Sequence, residues 1–250
     1  MGEKIPPMPV VARKKKQQVW LGDCLELMPK ILNESVDMIL CDPPYGTTAC
    51  KWDSIIPLEP MWKQLKRIIK PNGAIVMTAS QPFTTTLISS NMKMFRYDLK
   101  WIKSAGTGFY NANRMPLRAH EDILVWYKKL PTYNPQKTSG KPYRQTRGSA
   151  SDVYVGKDLC ETVNESGDRH PLSWRMFKKD KDKVHPTQKP VALMEYLIKT
   201  YTNKSDTVLD FAAGSGTTGV ACKNLNRGFI LIEKEQKYFD VIKQRLEMAN

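Results

Sequence analysis

The sequence predicts an α/β fold in which helices cover both faces of a mostly parallel β-sheet. Three observations favour this fold class. Apolar runs of strand length alternate along the chain with stretches of helical periodicity, as in a sheet whose parallel strands are joined by crossover helices. Turn-forming residues separate the two kinds of stretch. The 250 residues are enough for one such domain with an insertion or for two small domains, and their hydrophobic content of 41% supports a core.

The first half of the chain is predicted to contain strands and helices in alternation. Short apolar runs predict strands at residues 17–22, 36–41, 74–77, 95–102 and 121–127. Apolar residues at helical spacing predict helices at residues 24–32, 62–69 and 82–92. The second helix should stop at Pro71-Asn72-Gly73, a strong turn signal. Residues 104–110 form a predicted flexible loop with exposed aromatic side chains.

The character of the chain changes from about residue 130 to residue 184. Turn formers, basic residues and isolated aromatic residues replace the apolar periodicity there. We predict an inserted module at residues 131–183, between regular structure at 17–130 and 184–250. A disordered linker is the alternative, and the aromatic residues argue against it. Regular structure resumes with predicted helices at 190–201, 217–226 and 237–248 and strands at 207–211 and 229–232.

The charge balance indicates a polyanionic partner. The formal net charge is +14, and the excess lies in the first half and the middle of the chain. Nucleic acid is the partner that we expect, although a basic protein without one is the alternative. Residues 1–16 are proline-spaced and then basic, and we interpret them as an arm that touches phosphates.

Cysteine, histidine and apolar content restrict the compartment. The five cysteines show no CxxC spacing, and the three histidines are scattered, so we expect no metal site and a reducing compartment such as the cytoplasm. The mean hydropathy is −0.47, and no apolar stretch approaches the roughly 20 residues that span a bilayer. We therefore expect no membrane partner.

The first motif is Asp42-Pro43-Pro44-Tyr45, directly after the strand predicted at 36–41. Two successive prolines force the chain out of the sheet and leave a stiff loop. The loop presents one carboxylate, backbone carbonyls and one aromatic face, which suit a planar ligand that carries an amino group. The tetrapeptide alone is also compatible with an ordinary proline turn or with a Pro-Pro-x-Tyr-like peptide ligand.

The second motif is the glycine-rich stretch at residues 210–219, between a predicted strand and a predicted helix. Gly214 and Gly216 let the backbone approach a ligand at the start of the helix at Thr217. Glu233 ends the next strand, where it can accept both hydroxyls of a ribose. A phosphate-binding dinucleotide loop and a purely structural turn are the alternatives. Because Asp210 would repel a pyrophosphate and attract an ammonium, S-adenosylmethionine fits better than NAD.

With both motifs the chain resembles the DNA amino-methyltransferases, most closely the circularly permuted β class of adenine-N6 enzymes. Asp42-Pro43-Pro44-Tyr45, the segment at 185–190 (His-Pro-Thr-Gln-Lys-Pro) and the glycine-rich loop at 210–219 carry the resemblance. It covers nearly everything outside the first 15 residues and the insert. It implies a circularly permuted Rossmann-like methyltransferase fold, with the catalytic half at 17–130, a target-recognition insert at 131–183 and the cofactor half at 184–250.

The resemblance also implies roles for further residues. Asp23 would reach the adenine of the cofactor, Lys189 would lead into the helix beside its methionine, and Phe211 would border the site. Within the insert, the arginines that could contact DNA bases or phosphates are Arg144, Arg147, Arg169 and Arg175.

The expected activity is methyl transfer from S-adenosylmethionine to the N6 amino group of a flipped-out adenine in double-stranded DNA. A cytosine-N4 or RNA amino-methyltransferase is the alternative, and a DNA-binding protein without a cofactor is a third. A C5-cytosine mechanism needs a cysteine beside a proline, but Cys41 is followed by Asp42. The sequence leaves open a homodimer, a cognate restriction endonuclease and a bacterial or phage origin.

Overall fold

The computed structural model describes residues 17–48, 50, 53–147, 160–180, 184 and 188–249. The predictions about the basic arm at residues 1–16 and about residues 185–187 lie outside the described residues. Within them, no helix is both long and apolar enough to cross a bilayer.

Within the described residues, eight of the ten strands form one sheet. The strands in chain order are β1 (Gln17–Leu21), β2 (Val36–Cys41), β3 (Ile69–Ala79), β4 (Phe95–Thr107), β5 (Arg118–Trp126), β6 (Tyr143–Arg147), β7 (Cys160–Asn164), β8 (Trp174–Met176), β9 (Thr207–Asp210) and β10 (Gly228–Glu233). The spatial order of the sheet is β1-β10-β9-β2-β3-β5-β4-β8. Strand β5 is antiparallel to both of its neighbours, and all other neighbouring pairs in this sheet are parallel.

Helices cover both faces of this sheet, around two separate hydrophobic cores. The helices are α1 (Cys24–Leu27), α2 (Leu58–Ile68), α3 (Phe83–Ser89), α4 (Val191–Tyr201), α5 (Thr217–Asn224) and α6 (Gln236–Met248). The first three helices pack on one face and the last three on the other. Along β2, Ile39 lies in the first core and Leu40 in the second, because successive side chains of a strand point to opposite faces. The predicted α/β architecture is confirmed.

Three predicted elements differ from the structure. Helix α1 is shorter than predicted and continues as a 3₁₀ helix over Met28–Lys30, because Pro29 has no N–H for an α-helical bond. Ile69 is not helical: it pairs with Val36 and begins β3, and the turn residues after it form an irregularity within that strand. Residues 104–107 are not a loop but extend β4.

The described part of the insert contains strands. Strands β6 and β7 pair with each other in a separate antiparallel sheet. Strand β8 instead adds to the edge of the central sheet beside β4. Asn134 is also tied to the end of α4 through the carbonyl oxygen of Thr200, at 2.7 Å. The insert is therefore attached to the central sheet through β8 and to α4 through Asn134, and its boundaries at 131 and 183 stay predictions.

The sheet changes winding direction between β9 and β2, which are direct neighbours. The chain leaves β2 toward α2 on one face and leaves β9 toward α5 on the other. Ligands of open α/β sheets bind beyond the carboxyl ends of strands at such a point. Both sequence motifs begin here, since Asp42 follows β2 and Asp210 ends β9.

Candidate active site

A cavity of about 570 Å³ lies at the carboxyl ends of these strands. All predicted catalytic and cofactor residues except Gly216 line it: Asp23, Asp42, Pro43, Pro44, Tyr45, Lys189, Asp210, Phe211, Gly214, Thr217 and Glu233. Residues separated by about 170 positions in the chain therefore meet in one cleft, as the strand order requires.

Asp42 is held by three side chains from different elements. Its Oδ1 accepts hydrogen bonds from the hydroxyl of Thr78, at the end of β3, and from the hydroxyl of Tyr45 at 2.7 Å. Its Oδ2 accepts one from the Lys189 ammonium at 2.6 Å. The carboxylate orientation is thus set by the fold and not by the tetrapeptide alone.

Lys189 belongs to an ion-pair cluster that the sequence did not reveal. Its ammonium lies 2.6 Å from Asp42 and 3.2 Å from Glu121, and Glu121 in turn lies 2.6 Å from Lys103. Burial works against charging Lys189, but the two carboxylates outweigh it and raise the pKa of Lys189. Lys189 stands directly before α4, and its ammonium contacts Asp42 of the catalytic loop; its predicted place beside the methionine of the cofactor stays a prediction.

The Tyr45 ring already has two neighbours, Phe83 and the Lys189 ammonium, which lies 5.4 Å from the ring centroid. The ring stacks on Phe83 of α3 with ring centroids 5.5 Å apart and planes inclined by 21°. Burial first, and then the charges of Asp42 and Glu121, raise the pKa of the Tyr45 hydroxyl well above its usual value. Tyr45 therefore stays a neutral hydrogen-bond donor to Asp42 at working pH.

Asp53 organises the loop that follows the tetrapeptide. Its two oxygens accept hydrogen bonds from four successive backbone amides, those of Tyr45, Gly46, Thr47 and Thr48, at 2.7–3.0 Å. Burial opposes the charge, but the hydrogen bonds outweigh it and lower the pKa of Asp53. One carboxylate thus accepts hydrogen bonds from four successive backbone N–H groups of this turn. This role of Asp53 was not predicted from the sequence.

The glycine-rich loop has the backbone that the sequence predicted. Gly214 and Gly216 adopt φ angles of +52° and +76°, which L-residues with a Cβ rarely adopt. A Cβ on Gly216 would lie 2.9 Å from Ile242 of α6, whereas one on Gly214 would meet nothing within 4 Å. Gly216 therefore packs the loop against α6, and Gly214 leaves the cavity side open.

Acidic side chains tie this loop to the sheet. Glu233 accepts hydrogen bonds from the amides of Gly214 at 2.7 Å and Glu235 at 2.8 Å, so both of its oxygens already have one partner. Asp210 accepts from the Thr218 hydroxyl at 2.6 Å. Burial raises the pKa of Asp210 to about 6, even though the hydrogen bonds that Asp210 accepts, including the one from Thr218, lower it.

Arg245, Asp23 and Phe211 complete the cofactor side. Arg245 of α6 donates to the carbonyl oxygen of Ser215 at 2.7 Å and to the Thr217 hydroxyl at 3.1 Å, so it braces the loop from behind. Asp23 caps α1 by accepting from the Leu25 amide at 2.8 Å. Phe211 is 2% exposed and packs in the first core, so most of its ring faces protein.

The four arginines of the insert have different surroundings. Arg169 donates to three backbone carbonyl oxygens and lies over the Tyr143 ring, and Arg175 lies over the Tyr196 ring of α4. Arg144 is exposed and lies 3.3 Å from Glu161. The backbone of Arg147 pairs with Cys160 in β7. Arg144, Arg169 and Arg175 do not line the cavity, and Arg169 and Arg175 brace the insert itself through backbone carbonyl oxygens.

The comparisons with known proteins agree with this geometry. A family model described as DNA methylase, of the N6 and N4 type, matches residues 36–244. The type II methyltransferase M.BglII of Bacillus subtilis is 30% identical over 92% of this chain and 68% of its own length. M.HinfI of Haemophilus influenzae, another type II methyltransferase, is 28% identical over 90% of this chain and 67% of its own.

Solved structures have the same fold. A crystal structure of the M1.HpyAVI–SAM complex superposes with a TM-score of 0.65 at 29% identity, over 92% of this chain and 99% of that one. The cytosine-N4-specific PvuII DNA methyltransferase gives a TM-score of 0.67 at 17% identity, over 94% and 90%, which shows the fold alone. With the family match over most of its length, the chain belongs to the N6/N4 DNA methylase family.

Proposed function

We propose that the protein transfers a methyl group from S-adenosylmethionine to the N6 amino group of a flipped-out adenine in double-stranded DNA. The observation that carries this proposal is the shared cavity. It brings the Asp42 carboxylate together with the glycine-rich loop and Glu233, at the point where sheets of this kind bind ligands.

The residues of the cofactor side fit a cationic nucleoside. Asp23, Asp210 and Glu233 place three carboxylates around the loop, which would repel a pyrophosphate but attract an ammonium and accept ribose hydroxyls. Each Glu233 oxygen has one amide partner and keeps a second lone pair for a hydroxyl. S-adenosylmethionine supplies an electrophilic methyl group on a sulfonium.

The acceptor capacity of Asp42 fits a target amino group. A carboxylate offers about four lone-pair positions. Thr78 and Tyr45 use both positions of Oδ1, and Lys189 uses one of Oδ2. The remaining position of Oδ2 would accept one N–H of the target, and the Pro43 carbonyl would accept the other. Both contacts draw the nitrogen toward tetrahedral geometry and leave its lone pair free to attack.

The target base must leave the duplex to reach this cavity, at a cost of a few kcal/mol. Stacking of the base on the Tyr45 ring would return roughly 1–3 kcal/mol. Phe83 stacks on this ring and the Lys189 ammonium lies over it, so its position is fixed before the base arrives.

The choice of adenine rests on the sequence of the motif, Asp-Pro-Pro-Tyr, since the chemistry alone suits either adenine N6 or cytosine N4. Cytosine-N4 methylation is therefore the alternative. The DNA-binding roles of Arg144, Arg147, Arg169 and Arg175 remain predictions, as do a homodimer and a cognate restriction endonuclease.

We expect DNA to meet the protein beside the hairpin formed by β4 and β5. The base of this hairpin lines the cavity through Lys103, Thr107, Arg118 and Glu121. Its tip exposes aromatic and other apolar side chains among arginines, at Phe109, Tyr110, Arg114, Met115 and Leu117. Aromatic surfaces flanked by positive charge suit stacked bases and phosphates. The net charge of +14 agrees with such a partner.

The test is to express the protein in cells without adenine methylation and to analyse DNA nucleosides by mass spectrometry. We expect N6-methyladenine with the wild type and a loss of several orders of magnitude with Asp42→Ala, although cofactor binding is kept. Asp240→Ala, a change of an exposed carboxylate on α6, is the matched control. N4-methylcytosine alone would overturn the base assignment, and full activity of Asp42→Ala would overturn the mechanism.

A further inference from the structure

Four charged side chains form a compact cluster at the base of the cavity: Asp42, Lys103, Glu121 and Lys189. They come from the catalytic loop, β4, β5 and the segment before α4. Lys103 and Lys189 each have only 7% of their side chain exposed, and Glu121 has 13%. We call this set the charge cluster.

The order of contacts within the charge cluster is asymmetric. Glu121 lies between the two lysines, whereas Asp42 makes an ion pair with Lys189 alone among the described residues. The Tyr45 hydroxyl points at both acids, at 2.7 Å from Asp42 and 3.4 Å from Glu121. Asp42 and Glu121 are thus close enough to share two donors. Like charges at such separation disfavour each other's ionisation unless a cation lies between them.

Lys189 supplies that cation by direct contact. The other titratable groups whose contacts or charges reach Asp42 or its neighbour Glu121 include Cys41, Tyr45, Lys103 and Asp210, and the cations Arg118 and Lys179 line the same cavity. Burial raises the pKa of Cys41 and of Tyr45, so both are neutral. Asp210 adds a further acid, and Lys103 reaches Glu121 and not Asp42. The ammonium of Lys189 is therefore the counter-charge for the catalytic loop.

We propose that Lys189 is a positioning residue, which holds Asp42 as an oriented anion with one free acceptor position, and that Glu121 fixes Lys189 for this task. This inference rests on the proposed function, because Asp42 must accept a target N–H for the position to matter. It assigns Lys189 to the target side of the site and Glu121 to its support.

The variant Lys189→Met keeps the bulk of the side chain but removes the charge. We expect single-turnover methyl transfer at neutral pH to fall by roughly 10–100-fold, with cofactor affinity within about threefold of the wild type. The acid limb of the pH–rate profile should move upward, because the loss of the ammonium leaves two neighbouring carboxylates without a cation between them. A cofactor contact by Lys189 predicts the opposite pattern, with lost cofactor affinity and an unmoved limb.

The double variant Lys189→Met/Glu121→Gln makes this test specific. It removes the second negative charge, so the acid limb should return toward that of the wild type even though the rate stays low. If the limb is identical in the single and double variants, charge balance is not the role of Lys189. A merely structural role would change stability and rate but would not produce this return.

Glu121→Gln alone provides a check that does not depend on the folding of the Lys189 variants. This variant leaves the ion pair of Asp42 with Lys189 in place. The acid limb of its pH–rate profile should therefore keep the wild-type position or move to lower pH. A shift to higher pH would overturn the inference. The wild-type reaction separates the two proposals. If the wild type forms no methylated base, the proposed function fails, whereas product with the wrong pH profiles rejects only the role of Lys189.

Discussion

Replacing Asp53 should disorder the catalytic loop without touching the reacting atoms. Hydrogen bonds to a charged group contribute about 1.5–3 kcal/mol each, and Asp53 accepts four of them from the backbone. Gly46, Thr47 and Thr48 are exposed, so water would replace most of the lost partners in Asp53→Ala. We therefore expect a net loss of about 2–4 kcal/mol in loop order, well below the roughly 6–12 kcal/mol that four such bonds would total without water.

The loss should appear in the chemical step. Asp42 and Tyr45 lie in the same loop, and a misplacement of about 1 Å can cost about 100-fold in rate. A factor of 100 corresponds to about 2.7 kcal/mol, which agrees with the expected loss of loop order. Single-turnover methyl transfer at saturating DNA and cofactor measures this factor, and calorimetry should show cofactor affinity within about threefold of the wild type.

Asp53→Asn and Asp240→Ala are the matched controls. The asparagine keeps the shape of Asp53 but turns a nitrogen donor toward two backbone N–H groups, so it should be nearly as slow as Asp53→Ala. Asp240 is exposed on α6, and its loss should leave the rate unchanged. Because the pKa of Asp53 is lowered, its contribution to stability is complete above the usual pKa and is lost only as pH falls through the lowered one. A folded Asp53→Ala enzyme with a rate within threefold of the wild type would refute this reasoning.

Three further predictions concern the cofactor and DNA. Gly216→Ala should lose at least about tenfold in S-adenosylmethionine affinity and Gly214→Ala clearly less, because only the first Cβ meets Ile242; equal calorimetric affinities would contradict this. Cofactor binding should weaken as pH falls through about 6, where Asp210 takes up a proton, and Asp210→Asn should remove that dependence in titrations from pH 5 to 8. Tyr110→Ala should weaken DNA binding about three- to tenfold in gel-shift assays with cofactor affinity kept; unchanged DNA affinity would exclude the hairpin tip from the DNA surface.

Local patterns were sufficient for most of the fold. The strand at Val36–Cys41 was predicted with its observed ends, because an apolar run followed by two prolines permits little else. The prediction that Ile69 is helical was wrong, since its pairing with Val36 is a tertiary contact that overrides helical periodicity. The extension of β4 through residue 107 was missed for the same reason, because pairing of Thr107 with Arg118 lies beyond any local signal.

Site residues could be predicted from the sequence where they stand in a motif. They could not be predicted where their role depends on contacts with residues far away in the chain. Asp42, Glu233 and the glycine-rich loop stand in motifs, and the structure brings them to one cavity. Glu121 and Lys103 lie on β5 and β4 in no recognisable motif, and their importance comes from contacts with Lys189. Asp53 offered one signal, an acid a few residues after an exposed turn with unpaired amides.

The pairing of β1 with β10 has a consequence for biosynthesis. The first strand of the sheet gains its neighbour only after residue 233 has been made, and β9 and β10 must enter between β1 and β2. Until then the nascent chain carries the catalytic tetrapeptide but neither Glu233 nor a partner for β1. Activity therefore begins only after residue 233 has been made, and two fragments divided within the insert should regain it only when they are produced together.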